Sequence, residues 1–168
     1  SEAARHYSRA IESNPNMASA YVNLGNLYLL RHEYQLASEE FERAIEIEPS
    51  LAIAYINLAL LEASESNLSR ALELATIAIN LDGSHQVFAY GARGAIYAQG
   101  GQWEKAVKDL TQAIEKDDGF ALAYVNRGQA YKQLGHLEQA IADFEQAINL
   151  DPSISEAYYN RALVYISR

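Results

Sequence analysis

The sequence predicts an all-α solenoid assembled from antiparallel helix pairs, and three observations point to it. One skeleton, Tyr124, Gly128, Tyr131, Ala140, Phe144, Ala147 and Pro152, occurs earlier in the chain as Tyr21, Gly25, Tyr28, Ala37, Phe41, Ala44 and Pro49. Internal repetition with a period of roughly 20–50 residues marks a chain of stacked supersecondary units. Within a copy, Ala37, Phe41, Ala44 and Ile45 recur at helical spacing and define one apolar stripe. The composition, 49% hydrophobic over 168 residues, is that of a folded chain and not a disordered one.

Taken in order, residues 1–17 read as the second helix of a truncated repeat, with Ala3, Tyr7, Ala10 and Pro15 aligned on Ala37, Phe41, Ala44 and Pro49. Complete repeats follow at 18–51, 52–85, 87–120 and 121–154, and residues 155–168 supply a first helix only. The whole of 1–168 is thus predicted as one array of four complete repeats between two halves. A chain that opens in mid-repeat is expected to continue upstream. It is also expected to lack the polar capping helix that ends such arrays, so its first and last helices should expose apolar faces.

Each repeat reads as two helices. The turn between them is signalled by Arg31-His32-Glu33, Ser64-Glu65-Ser66-Asn67, Gly100-Gly101 and Leu134-Gly135-His136. Pro15, Pro49 and Pro152 separate repeats, because proline cannot continue a helix interior. Small residues such as Gly25, Ala37 and Ala44 let paired helices approach closely. Repeat 52–85 departs from the pattern, with Glu62 for tyrosine, Ala59 for glycine, Ala75 for the large residue and Gly83 for proline. One extra residue then precedes the next repeat, so the seam at 82–88 is where a regular twist should break.

This skeleton resembles the tetratricopeptide repeat, a helix–turn–helix unit, and the resemblance covers the whole chain. It implies a right-handed superhelix whose first helices line a concave groove, and a function as a protein–protein interaction module or scaffold. The ligand would be an extended or short helical segment of a partner protein. Two other functions fit the same architecture: a self-assembling scaffold, with homo-oligomers forming through exposed array ends, and a substrate-presenting domain of a larger enzyme.

Composition narrows the partners. A net charge of −9 opposes nucleic acid and anionic membranes, both of which select basic surfaces. No apolar run approaches the length of a membrane span, so no membrane insertion is expected. The chain has no cysteine, which excludes disulfides and leaves the compartment open, with the cytoplasm favoured. His6, His32, His85 and His136 lie in different repeats, and no two share the spacing by which one helix holds a metal. With no nucleophile–base constellation either, neither catalysis nor a cofactor is predicted. Nine of the 12 tyrosines fall on two repeat positions, Tyr21, Tyr55, Tyr90, Tyr124 and Tyr158, then Tyr28, Tyr97, Tyr131 and Tyr165. They are read as packing residues, as is Trp103.

Asparagine points to the candidate site. Asn23, Asn57, Asn126 and Asn160 share the sixth position of their repeats, which in the family faces the groove. A side-chain amide there can donate to and accept from a peptide backbone. The ladder resembles the one lining O-linked N-acetylglucosamine transferases, and it breaks at Ala92. In the same register Asn26, Leu60, Phe88, Ala95 and Gln129 complete the predicted peptide-binding set, in a groove where only Lys132 and Glu156 are charged. The acidity is instead predicted on the outer helices, where 33–48 holds six glutamates. Chaperone-docking members of the family clamp a terminal carboxylate with cations beside two asparagines. Asn26 and Asn57 match those asparagines, but Val22, Phe88 and Ala92 replace the cations, and an unpaired carboxylate in an apolar groove is costly.

Two further expectations concern single repeats. Gly91, Ala92, Ala95 and Ala98 should leave a depression in repeat 87–120, bounded by Phe88 and Leu60, that accepts a bulky apolar side chain. Arg93, Arg127 and Arg161 recur where earlier repeats have Leu24 and Leu58, and Asp109 and Asp143 accompany them. Interhelix ion pairs are therefore expected for Arg93 with Asp109 and for Arg161 with Asp143, Arg127 being able to take either aspartate.

Overall fold

The computed structural model describes residues 2–81, 83 and 85–167, and for residues 2–4 the backbone alone. Asp82 and Ser84 in the predicted seam, and the side chain of Ala3, lie outside the described residues. The chain divides into two compact units, Ser1–His85 and Gln86–Arg168.

The first unit holds α1 (Glu2–Ser13), α2 (Ala18–Leu29), α3 (Tyr34–Ile47), α4 (Ala52–Ser64) and α5 (Leu68–Asn80). The second holds α6 (Gln86–Gln99), α7 (Trp103–Lys116), α8 (Ala121–Gln133), α9 (Leu137–Leu150) and α10 (Ser155–Ile166). No strand occurs among the described residues, and no helix is long and apolar enough to cross a membrane. Within each unit every helix packs on its neighbours in the chain. The first helices of successive repeats also touch, as α2 on α4, α6 on α8 and α8 on α10, whereas among the described residues second helices do not meet. The all-α helix-pair stack is thus as the sequence predicts.

Helix pairs close onto one another through matched volumes. A Cβ placed on Gly25 would lie 2.6 Å from the Phe41 ring, and one on Gly128 would lie 2.8 Å from Phe144. Gly94 stands over Leu110 in the same way, at 2.7 Å. Repeat 52–85 therefore deviates less than its sequence suggests, because Ala59 appears where Ala75 has replaced the ring. Both alanines are fully buried, so the substitution of one partner is answered by the other.

The turns inside the repeats share one geometry. His32, Ser66, Gly101 and Gly135 all take positive φ, between 60° and 77°. The amide of the following residue donates back to the helix, Glu33 to the Tyr28 carbonyl, Asn67 to Glu62, Gln102 to Tyr97 and His136 to Tyr131. These are the paired carbonyl caps of a helix ending in a left-handed residue. Between repeats a side chain performs the capping. Asp151 accepts from the Ser153 amide and hydroxyl at 2.9 and 2.7 Å, and these bonds hold its carboxyl below the usual range. Asp117 accepts from the Gly119 amide at 2.9 Å.

The repeated tyrosines are packing residues where a second helix follows them. Tyr90 and Tyr97 border the core of Ala106, Leu110 and Ala113, with Trp103 beside them, and Tyr124 and Tyr131 border the cores around Val125 and Phe144. On α10 the same positions, Tyr158 and Tyr165, are exposed.

Gly128→Ala should destabilise the second unit by about 1–3 kcal/mol through overpacking against Phe144. In the Gly128→Ala/Phe144→Ala double variant this clash disappears. A double-mutant cycle from urea unfolding should therefore show the two changes to be markedly less costly together than the sum of the singles.

Candidate functional site

In the first unit, Asn23 and Asn26 lie on α2, and Asn57 and Leu60 on α4. The Asn57 Nδ2 donates to Asn26 Oδ1 at 2.8 Å, so the two first helices are joined amide to amide. Asn23 and Leu60 are exposed on the same helices. In the second unit, Phe88, Ala92 and Ala95 lie on α6, Asn126 and Gln129 on α8, and Asn160 on α10. Gln129 Nε2 donates to Glu156 Oε1 at 2.6 Å, and Lys132 Nζ to Asn160 Oδ1 at 2.9 Å. The two charged groups expected on this face are thus tied to its amides.

The four asparagines of the ladder are not equivalent. Asn160 is only 6% exposed, and its Nδ2 donates to the Glu156 carbonyl at 3.1 Å while its Oδ1 takes Lys132. Its amide is committed within the protein. Asn57 spends one donor on Asn26. The half-buried Asn126 and the exposed Asn23 have no side-chain hydrogen bond among the described residues.

The expected depression on α6 is partly filled. A Cβ on Gly91 would lie 2.7 Å from the Phe120 ring, which in turn meets Phe88 edge-to-face at 5.6 Å. Ala92 is buried, Ala95 half-buried and Phe88 exposed. The reason is again volume matching. In the next repeat Val125 packs with Ile154 at the corresponding two positions, and here glycine and phenylalanine share that space. The signal for this was present as Phe120 at the end of a repeat whose fifth residue is glycine.

The arginine–aspartate expectation is half right. Arg93 grips Asp109 through Nε and Nη2 at 2.6 and 3.0 Å. Arg127 takes Asp143 through Nε and Nη2 at 2.8 and 2.7 Å, and its Nη1 reaches Thr111 Oγ1 at 3.1 Å. Arg161 consequently does not pair with Asp143 and approaches Glu145 at 3.7 Å. The bidentate fork fits only within one repeat, where arginine and aspartate are sixteen residues apart on paired helices. Arg93 lies 5.8 and 5.9 Å from the Tyr90 and Tyr97 ring centres, and Arg127 lies 5.5 and 5.8 Å from Tyr124 and Tyr131. Hydrogen bonding to Asp109 raises the Arg93 pKa above its ordinary value despite burial. For Arg127 burial is the largest single influence and opposes the charge, but Asp143, then Tyr131 and Tyr124, together offset it and the pKa is again raised.

Earlier repeats place other residues at these two positions. Leu58 and Leu74 are buried at 1% and 2% exposure, an apolar pair in place of the ion pair. Leu24 faces the other solution, in which Glu40 has no arginine. There burial, followed by repulsion from Glu39, raises the Glu40 pKa. The remaining glutamates of 33–48 are exposed, as their assignment to an outer helix predicts.

The tetratricopeptide repeat family model matches residues 18–51, and a TPR repeat model matches residues 94–135 and 128–167. No curated protein matches the chain. Among solved structures, YrrB, described as a TPR protein with an unusual peptide-binding site, is 23% identical with a TM-score of 0.72, covering 98% of this chain and 84% of its own. PilF of Pseudomonas aeruginosa is 25% identical, with a TM-score of 0.82, over 89% of this chain and 68% of its own. The second TPR domain of human RPAP3, solved in complex with the HSP70 peptide SGPTIEEVD, is 31% identical with a TM-score of 0.63, over 68% of this chain and 94% of its own.

Asp143→Leu alone, which strands the Arg127 guanidinium, should cost about 3–5 kcal/mol. Arg127→Leu/Asp143→Leu, which copies the Leu58 and Leu74 pair, should return stability to within about 1 kcal/mol of the parent or exceed it. Chemical unfolding monitored by circular dichroism measures both.

Proposed function

The chain belongs to the tetratricopeptide repeat family, and from that premise we propose that it is a protein–protein interaction module holding an extended segment of a partner along the face of its first helices. The observation that supports this most is the meeting of polar side chains from successive first helices, amide to amide at Asn57 and Asn26 in one unit and amide to carboxylate at Gln129 and Glu156 in the other. Such a strip offers donors and acceptors to a main chain at helix-to-helix intervals. The peptide complex of the RPAP3 domain and the peptide-binding description of YrrB support the same class of ligand.

Within this reading the asparagines have different weights. Asn23 and Asn126 would grip the backbone most readily, because their amides are not committed elsewhere. Asn160 would have to exchange Lys132 for the ligand, so it supports the face instead of the peptide. Leu60 supplies exposed apolar surface in the first unit; in the second, Phe88 does so, with Ala92 and Ala95 on the same helix. A terminal carboxylate is a poor ligand for the first unit's face, since Val22 provides no cation on the helix that carries Asn26.

Self-association is a second reading, favoured by one observation. On α10, Tyr159 and Ile166 are 65% and 82% exposed, with Tyr158 and Tyr165 beside them. If a second copy covers this surface, sedimentation should show concentration-dependent dimers that Ile166→Glu abolishes. A single monomeric boundary at all concentrations would remove the reading.

For the peptide face, the partner segment is first recovered by pull-down and sequenced. Asn126→Ala should then weaken every bound peptide about fivefold, one hydrogen bond being worth about 1 kcal/mol net. Ala95→Leu should change which apolar anchor is preferred without changing the register. Calorimetry that finds both variants unaltered would refute the assignment of this face.

A further inference from the structure

On the opposite side of the α6–α7 pair, away from the amide strip, lies a cavity of about 380 Å³. Its floor is the Arg93–Asp109 pair, and Tyr90 and Tyr97 form its aromatic sides. Lys105, Lys108 and Gln112 on α7 form the rim. The charges do not cancel. Arg93 and Asp109 neutralise one another through two hydrogen bonds, which leaves the two lysines. Lys105 Nζ donates to the neutral Gln102 Oε1 at 2.7 Å and stands 5.4 Å from the Tyr97 ring. Neither lysine belongs to an ion pair among the described residues. A third lysine, Lys116, stands 5.8 Å from the Tyr90 ring.

This concentration is unusual in the chain. The net charge is −9, and all four lysines, Lys105, Lys108, Lys116 and Lys132, lie in the second unit. An internal control is present as well. Repeat 121–154 repeats the floor and sides of the cavity as Arg127, Asp143, Tyr124 and Tyr131, but carries Gln139 and Ala142 where the rim lysines stand. Repeats 18–51 and 52–85 have Leu36 with Glu39 and Arg70 with Glu73 there. The frame is thus structural and shared, and the two cations are an addition confined to one repeat.

We propose that this cavity is an anion site, taking an oxyanion carried either by a free phosphate or by the carboxylate side chains of an acidic peptide. Two lysines one helical turn apart line the opening and can supply donors to the oxygens of one such group. The tyrosine hydroxyls and Gln112 add neutral hydrogen-bonding partners, and the fixed Arg93–Asp109 floor prevents the rim from collapsing inward. Elsewhere the acidic surface repels anions, so this opening is where an approaching anion is drawn. The site is independent of the amide face, which lies on the other side of α6.

The test uses the whole chain at low ionic strength, with inorganic phosphate and a tetraglutamate peptide as separate probes. Amide and ring resonances of Tyr90 and Tyr97 report this cavity, and those of Tyr124 and Tyr131 report its counterpart. Both probes, or either alone, should shift Tyr90 and Tyr97 saturably, and the shift should weaken as salt screens the rim. Phosphate alone identifies a small-anion site, and the peptide alone identifies a docking site for an acidic segment. Lys105→Gln/Lys108→Ala, which copies repeat 121–154, should weaken binding by at least about tenfold. Conversely, Gln139→Lys/Ala142→Lys, at two exposed positions, should create a second site reported by Tyr124 and Tyr131. No saturable shift with either probe, or equal binding by the variant without rim lysines, overturns the proposal.

Discussion

The distance between the two helices of a repeat is set where a glycine of the first helix passes beneath a large side chain of the second. Gly25 under Phe41, Gly128 under Phe144 and Gly94 under Leu110 leave no room for a single added carbon. Everything else depends on that approach. It brings Arg93 within two hydrogen bonds of Asp109, seats the repeated tyrosines at the edge of the core, and lets neighbouring first helices meet closely enough for Asn57 to reach Asn26. Close-packed interiors tolerate exchange when total volume is kept, and the chain uses this freedom with Ala59 and Ala75, and again with Gly91 and Phe120.

The pair of positions occupied by Arg93 and Asp109 shows three answers to one steric problem. Two leucines fill it with hydrocarbon, an arginine and an aspartate fill it with a paired fork, and Leu24 with Glu40 leaves a carboxyl resisting its own charge. A buried ion pair need not be more stabilising than an apolar pair of similar size. What it adds is direction. The planar guanidinium, held between Tyr90 and Tyr97, fixes both rings and leaves a polar floor on which the rim lysines can act.

The period, the helix pairs and the turn positions were legible in the sequence because they follow from residues whose meaning is local. A glycine before a polar turn, a proline after an apolar stripe and a tyrosine seven residues from the next each constrain only their own neighbourhood. The Arg93–Asp109 pair was legible for the same reason, since both residues sit in one repeat. Arg161 has no such partner because the fork closes over the sixteen-residue spacing within one repeat, which Arg127 and Asp143 share with Arg93 and Asp109, and which leaves Asp143 already taken. The partial filling of the depression on α6 was not legible, because the small residues lie on one helix while the ring beside Gly91, Phe120, lies at the far end of the repeat. Asn160 and Asn126 share a repeat position, and what separates them is the Lys132 contact, made from a neighbouring helix.

The left-handed residue at each intra-repeat turn has a consequence for how the chain comes to be folded. In the second unit that residue is Gly101 or Gly135, which enters positive φ at little cost; in the first it is His32 or Ser66, which must climb against its own Cβ. Helical hairpins gain their contacts only after the turn has closed, so the ease of the turn is felt in the rate at which the nucleus forms. The hairpins α6–α7 and α8–α9 close over the gentler barrier. The hairpins that leave the ribosome last are thus the ones whose turns close most readily.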